Sequence, residues 1–232
     1  MSDVRYTAVM AGIRERARAE TTAEIVRLAR EQIAVHGAAE LSLRAIARDL
    51  GMVSSAIYRY FASRDELLTC LIIDSYDRLG ADVEEADAKF RRSDLKGRWR
   101  TVAHALRDWA VENPSEHALL FGTPVPGYRA PEDTIGPASR YTIVLLQLLS
   151  DIEASGRTIT GRVSADLRRD FASLRTQAPV PSDAATQAGM VAWAALLGCI
   201  ALELFGHLNN VVDTPGALYE SVIDHHGKVL LG

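Results

Sequence analysis

The sequence predicts an all-α fold: a small N-terminal unit of three helices followed by a helical bundle. Two observations carry this. Apolar residues recur every three to four positions almost throughout, and Gly or Pro breakers divide those runs into helix-sized pieces. The 232 residues are 48% hydrophobic and only 6% aromatic, and none of the runs alternates as a half-buried strand does. A chain of this length forms one or two domains, at roughly 100–200 residues each.

Taken in order, residues 1–20 are polar, with Arg14, Arg16 and Arg18 on alternate positions, and read as a flexible N-terminal arm. The first firm helix runs from Thr21 to His36, with Thr21 or Thr22 as cap and Gly37 as terminator. Ile25, Ala29 and Ile33 form its inner stripe. Ser42 opens a second helix whose apolar face is Leu43, Ile46, Ala47 and Leu50, and Gly51 ends it. Ser54–Phe61 reads as a third, short helix with Ile57 and Phe61 facing inward. Ser63 and Glu66 stand as N-cap and N3 of a capping box at the head of the fourth. Helical segments follow at about 63–90, 94–112, 114–121, 132–155, 163–174, 183–209 and 215–230. Asn113-Pro114, the Gly122–Pro131 stretch, Gly156, Pro179–Pro181 and Pro215-Gly216 separate them.

Several classes are excluded. Cys70 and Cys199 lie far apart in apolar helical runs, as small buried hydrophobes rather than a disulfide, which suits a reducing cytosol and a cytoplasmic protein. The charged N-terminus lacks a signal-peptide core. Met190–Phe205, the most apolar stretch, carries Glu203 and falls short of the ~20 residues of a membrane span. The net charge is -4, but unevenly spread: residues 1–66 hold 10 Arg and 9 Asp/Glu, and residues 67–232 hold 16 Lys/Arg and 21 Asp/Glu. A front of charge +1 permits nucleic-acid binding without demonstrating it. The 3 Lys against 23 Arg fit a GC-rich bacterial genome.

The informative stretch is Leu41–Leu68. Two short helices joined at a glycine form a helix-turn-helix, whose second helix can enter a major groove. Ala45 and Ala47 are small enough for a close helix crossing, and Gly51 allows the abrupt turn. Ser54 and Ser55 come first in the recognition element, followed by Tyr58, Arg59 and Tyr60, with Arg64 four residues later. Short polar groups ahead of long donors suit base edges and phosphates. The residues before Thr21 then have two open readings: a solvated extension of the helix, or an arm touching phosphate or the minor groove.

At these residues the chain resembles the TetR family of transcriptional regulators. The family's run stands here as Gly37, Ser42, Ile46-Ala47, Gly51-Met52-Val53, Ile57-Tyr58-Arg59-Tyr60-Phe61 and Arg64-Asp65-Glu66-Leu67. Val53 replaces the usual Ser, which would move the helix cap and a phosphate contact to Ser54, and Tyr60 replaces the usual His. The resemblance implies phosphate contacts from Thr21, Ser42, Tyr58 and Arg64. It implies groove contacts from Arg44, Ser54, Ser55, Arg59 and Tyr60. The expected division is residues 1–20 as arm, 21–66 as DNA-binding domain and 67–232 as helical effector-binding and dimerisation domain.

The C-terminal half is less legible. Trp193–Gly198, Leu202–Gly206, the Asn113-Pro114 break and Leu119-Leu120-Phe121 are similar to the Trp-His-Gly type of C-terminal domain, although Leu197 stands where that type has His. Candidate effector-cavity residues are His104, Trp109, Phe121, Tyr128, Tyr141, Trp193 and Phe205; taken singly, each also suits plain core. His225-His226 reads as a surface pair, because neighbours on a helix diverge, and no metal or other cofactor is expected. The Ala-, Leu- and Gly-rich run Gly189–Phe205 is apolar on more faces than one packed helix needs. The helices at about 183–209 and 215–230 are therefore the expected homodimer contacts.

Together these predict a ligand-responsive transcriptional regulator. As the resemblance implies, it is a repressor that grips a palindromic operator on double-stranded DNA as a dimer and is released by a small-molecule effector. Activation remains a possibility. The two rivals fare poorly. An enzyme would need a phosphate loop, a nucleophile elbow or a ligand cluster, none of which stands in the sequence. A ligandless architectural DNA binder would be overtly basic and have no large acidic second domain.

Overall fold

The computed structural model describes residues 2–176 and 180–232, with side chains from residue 15 onward. Met1, the side chain of Arg14 in the expected arm and residues 177–179 of the Pro179–Pro181 breaker lie outside this description. Among the described residues there are nine α-helices and no strand: α1 Ser2–His36, α2 Leu43–Asp49, α3 Arg64–Ala88, α4 Leu95–Glu112, α5 Pro114–Phe121, α6 Ile135–Ala154, α7 Ala165–Arg175, α8 Asp183–Leu204 and α9 Pro215–Leu231. Short 3-10 turns stand at Ala38–Glu40, Ile57–Arg59 and Glu132–Thr134. The chain forms two compact units, one of residues up to Ser75 with Ser115–Thr134, the other of Tyr76–Pro114 with Ile135–Gly232.

Three expectations are corrected. The first helix begins at Ser2, not Thr21, and the two threonines are not caps. Their hydroxyls donate to the carbonyls of Ala17 (2.8 Å) and Arg18 (2.9 Å), four residues back, as mid-helix threonines do. The recognition element is not an α-helix over Ser54–Phe61. Ala56, Arg59 and Tyr60 donate to carbonyls three residues back (2.8, 3.2 and 2.9 Å), and only Phe61 reaches four back (3.2 Å). The Ile57–Arg59 turn has no side-chain cap, so Ser54 does not take over that role. A segment this short, squeezed between two turns, winds tightly in the 3-10 manner. Finally, α8 has 22 residues and is long and apolar enough to cross a membrane by length and composition, with a third of its apolar window buried within the chain.

The first unit is built round Ile25, Ala29, Ile33, Ile46, Ala47, Ile57 and Leu67, all buried. Each large side chain so enclosed contributes about 1.5–3 kcal/mol of transfer free energy. Gly51 turns the chain between α2 and the recognition segment at φ 65°, where a side chain would strain the backbone. Ser63 Oγ accepts from Glu66 N–H (3.1 Å), the cap half of the expected box, while the Glu66 carboxylate reaches one residue further back and accepts from Ala62 N–H instead of Ser63 N–H. The segment from Ser115 is tied into this unit by polar bonds. Ser75 Oγ donates to Glu116 (2.9 Å), Arg30 pairs with Asp74 and with Glu116 (3.4 Å), and the Thr69 and Tyr128 hydroxyls meet at 2.9 Å.

In the second unit α4, α6, α8 and α9 pack on one another, with α7 against α8. Trp99 Nε1 donates to Ile223 O (2.9 Å) and Tyr219 Oη to Ala103 O (2.7 Å), fastening α4 to α9 at two levels. Arg98, 3% exposed, reaches Asp87 (2.7 Å) and Asp151 (2.7 Å), and Arg107 grips Glu203 through two bonds of 2.8 and 2.6 Å. Buried guanidinium groups persist because paired carboxylates replace their lost water.

Candidate nucleic-acid interface

The candidate surface is the exposed rim of the first unit. Ser42 caps α2, its Oγ accepting from Ala45 N–H at 3.4 Å, while its own N–H donates to Gln32 Oε1 at 3.0 Å. Both bonds position the start of α2, and the exposed Arg44 is its second residue. Beyond the Gly51 turn, Val53, Ser54, Ser55, Tyr58 and Arg59 are all exposed, Val53 at 72% and Tyr58 at 44%. Ile57 and Phe61 are buried beneath them, which sets the outward direction of their neighbours. Five of the nine sequence candidates are thus exposed: Arg44, Ser54, Ser55, Tyr58 and Arg59.

The other four are engaged with the protein. Thr21 lies within α1. Arg64 turns its guanidinium inward, donating to the carbonyls of Ala38 (2.9 Å), Ala39 (3.0 Å) and Leu41 (3.2 Å), so it closes the turn after α1. Tyr60 is half-buried beneath Arg18, whose guanidinium carbon stands 5.5 Å from the ring centroid. The same Arg18 donates to the Arg59 carbonyl at 2.9 Å. Sequence reading set Arg18 within the arm and passed over Gln32 altogether. The signal for Arg18 was its place in an unbroken run of helix formers; nothing local marks its bond to a residue 41 positions away.

The effector candidates scatter. A cavity of about 290 Å³ opens in the second unit among α4, α6, α7, α8 and α9, walled by Trp99, Leu145, Leu149, Leu174, Trp193 and Leu230 among others. Trp193 lies in that wall. Tyr141, buried on α6 one turn before Leu145, has its hydroxyl pKa pushed up by burial. His104 and Trp109 line a different, polar groove with Asp82, Glu85 and Glu112, where His104 Nε2 stands 3.1 Å from Glu220. Phe121 and Tyr128 belong to the first unit, and Phe205 is 46% exposed beyond the end of α8. The His225 and His226 rings stack edge-on at 5.0 Å, and no group of three metal-ligating side chains stands among the described residues.

Residues 25–70 match the model of bacterial regulatory proteins of the tetR family, and residues 99–226 match the tetracyclin repressor-like C-terminal domain. HTH-type transcriptional regulators of Mycobacterium tuberculosis and Mycobacterium bovis are 41% identical over 220 residues, covering 90% of this chain and 92% of each relative. The crystal structure of the regulatory protein SCO4313 is similar throughout, with 36% identity and a TM-score of 0.77 over 91% of this chain and 97% of that one. The TetR-family regulator PfmR of Thermus thermophilus shares the fold at 20% identity and TM-score 0.57, covering 90% and 97%. With a helix-turn-helix at its front and a helical domain behind, this chain belongs to the TetR family and is a non-enzymatic, DNA-binding regulator of transcription.

Proposed function

We propose that the protein is a cytoplasmic homodimeric repressor that binds a palindromic operator and is released by a small-molecule effector. The observation that carries the reading is the apolar cleft of about 290 Å³ in the second unit, which a pure DNA binder does not need. On the first unit, Arg44, Ser54, Ser55 and Arg59 reach base edges and Tyr58 a phosphate. Ser42 presents the N-terminus of α2 to a phosphate, while Thr21, Tyr60 and Arg64 are engaged with the protein itself.

Dimerisation is supported by α8. Val191, Ala194, Gly198, Leu202 and, just beyond, Phe205 are all exposed and recur at three- or four-residue spacing, so one apolar stripe runs along the helix. Small residues at its centre let a second copy approach closely, and the exposed Val229 of α9 extends the apolar surface of the unit. A stripe of this kind is unfavourable in water and fits a self-complementary two-fold contact. Two heads related by that axis read two half-sites about 34–36 Å apart, or a multiple of that spacing.

The test is a random-oligonucleotide selection with the purified protein, alongside sedimentation of wild type and Leu202→Glu. The expected result is a palindrome from a wild-type dimer, and a folded monomeric variant that loses the palindrome. A monomeric wild type, or a non-palindromic site, overturns the reading.

A further inference from the structure

We infer that the effector is an uncharged, predominantly hydrocarbon molecule of about ten non-hydrogen atoms, whose polar group, where present, is a neutral hydroxyl. This deepens the reading of the second unit as an effector domain and rests on it. Among the described residues no ionisable side chain lines the cavity. Its walls are leucines, Met190, Gly189, the Trp99 and Trp193 indoles and two threonines. A carboxylate, ammonium or phosphate group moved inside would lose its water and meet no opposite charge, a cost of several kcal/mol at least.

The two threonines sharpen the selection. Thr142 Oγ1 already donates to Ser139 O at 2.8 Å, and Thr186 Oγ1 to Pro181 O at 3.3 Å. Each hydroxyl has one proton, so both retain lone pairs and neither has a proton left to give. Trp99 Nε1 is likewise committed to Ile223 O. The threonines therefore accept from an alcohol, whereas Trp193 Nε1, buried without a hydrogen-bond partner, has its proton to give; a hydroxyl can use both, an ether or carbonyl only the second. Size follows from the volume: 290 Å³ at roughly 30 Å³ per water-sized group holds about ten such groups.

The probes are four molecules matched in length: 1-nonanol, its ether isomer 1-methoxyoctane, nonanoate and nonylammonium. Binding to the intact protein is read by Trp fluorescence and by calorimetry, and operator release separately by anisotropy of a labelled duplex. Nonanol is expected to bind at least about 100-fold more tightly than either ion, and about 5- to 10-fold more tightly than the ether. Thr142→Val combined with Thr186→Val, both isosteric changes, is expected to abolish the alcohol-over-ether preference and leave ether affinity unchanged. Leu145→Trp is expected to fill the chamber and abolish binding of both.

Equal binding of all four probes, tighter binding of an ion, or indifference of the alcohol-over-ether ratio to the double Thr142→Val, Thr186→Val change overturns the inference. Selective nonanol binding that leaves the operator complex intact sustains the ligand class but removes the support for release by such a ligand. Release by nonanoate alone keeps an effector response and refutes this chemistry.

Discussion

Arg18→Ala tests how the recognition segment is held. That segment is a 3-10 turn without a side-chain cap. Arg18 grips its end twice, by a 2.9 Å bond to the Arg59 carbonyl and by lying 5.5 Å over the Tyr60 ring. A charge-assisted bond of this kind contributes about 1.5–3 kcal/mol when shielded and less on an exposed residue. The cation–π contact adds about 0.5–1 kcal/mol. A net 1.5–2 kcal/mol predicts operator affinity reduced about 10- to 30-fold, because the free segment must be re-ordered on binding. The assay is anisotropy of the selected operator duplex from 50 to 300 mM salt. A brace leaves the slope of log affinity against log salt unchanged and lowers discrimination between operator and scrambled duplex. A phosphate contact, when lost, reduces the slope by about 0.9 and weakens all sequences alike. Wild-type affinity in the variant, or the second pattern, refutes the argument.

Two further predictions concern the units separately. Arg98→Met in the second unit leaves Asp87 and Asp151 without the guanidinium that both contact, and is expected to cost about 3–5 kcal/mol in urea denaturation, partly recovered by adding Asp87→Asn and Asp151→Asn. A loss under 1 kcal/mol contradicts it. In the first unit, burial lowers the His117 pKa from 6.5 to about 4. The native state therefore keeps the ring neutral while the unfolded chain protonates it. Stability from this group is full above pH 6.5 and falls as pH drops towards 4, by roughly 3 kcal/mol in all. Urea melts between pH 4 and 7.5 should show this slope in wild type and lose that part of it in His117→Gln; parallel profiles contradict the assignment.

Much of the molecule was readable one residue at a time. Ser42 as N-cap, Gly51 as turn, Ser63 as cap to Glu66, and the breaks at Asn113-Pro114 and Pro215 all act within four residues of themselves. Local hydrogen bonding and backbone sterics decide them, and the helices that these signals open or close lie within a few residues of them, α1's start excepted. The exposed face of the reading head was legible for the same reason: burying Ile57 and Phe61 dictates where Ser54, Ser55, Tyr58 and Arg59 point.

What only the tertiary structure decided involves partners distant in sequence. Periodicity says that Leu145, Leu149 and Leu230 face inward, but a leucine packed against a neighbour and one bordering a void have the same pattern. The cavity exists because five helices fail to close on one another. Aromatics singled out for their size, such as Trp109 and Phe205, lie away from it for that reason. Arg64 and Arg18 look alike as free surface cations, yet each is tied to carbonyls 23 to 41 residues away. Ser115–Thr134 joins the reading head through Glu116 and Tyr128, bonds spanning 41 and 59 positions. The sequence by itself determined most of the helices, the place of the head and the family, because caps, turns and apolar stripes are local, but not where α1 begins or how the recognition segment winds. Packing decided the chamber, the braces and the allegiance of α5, because they depend on which faces meet.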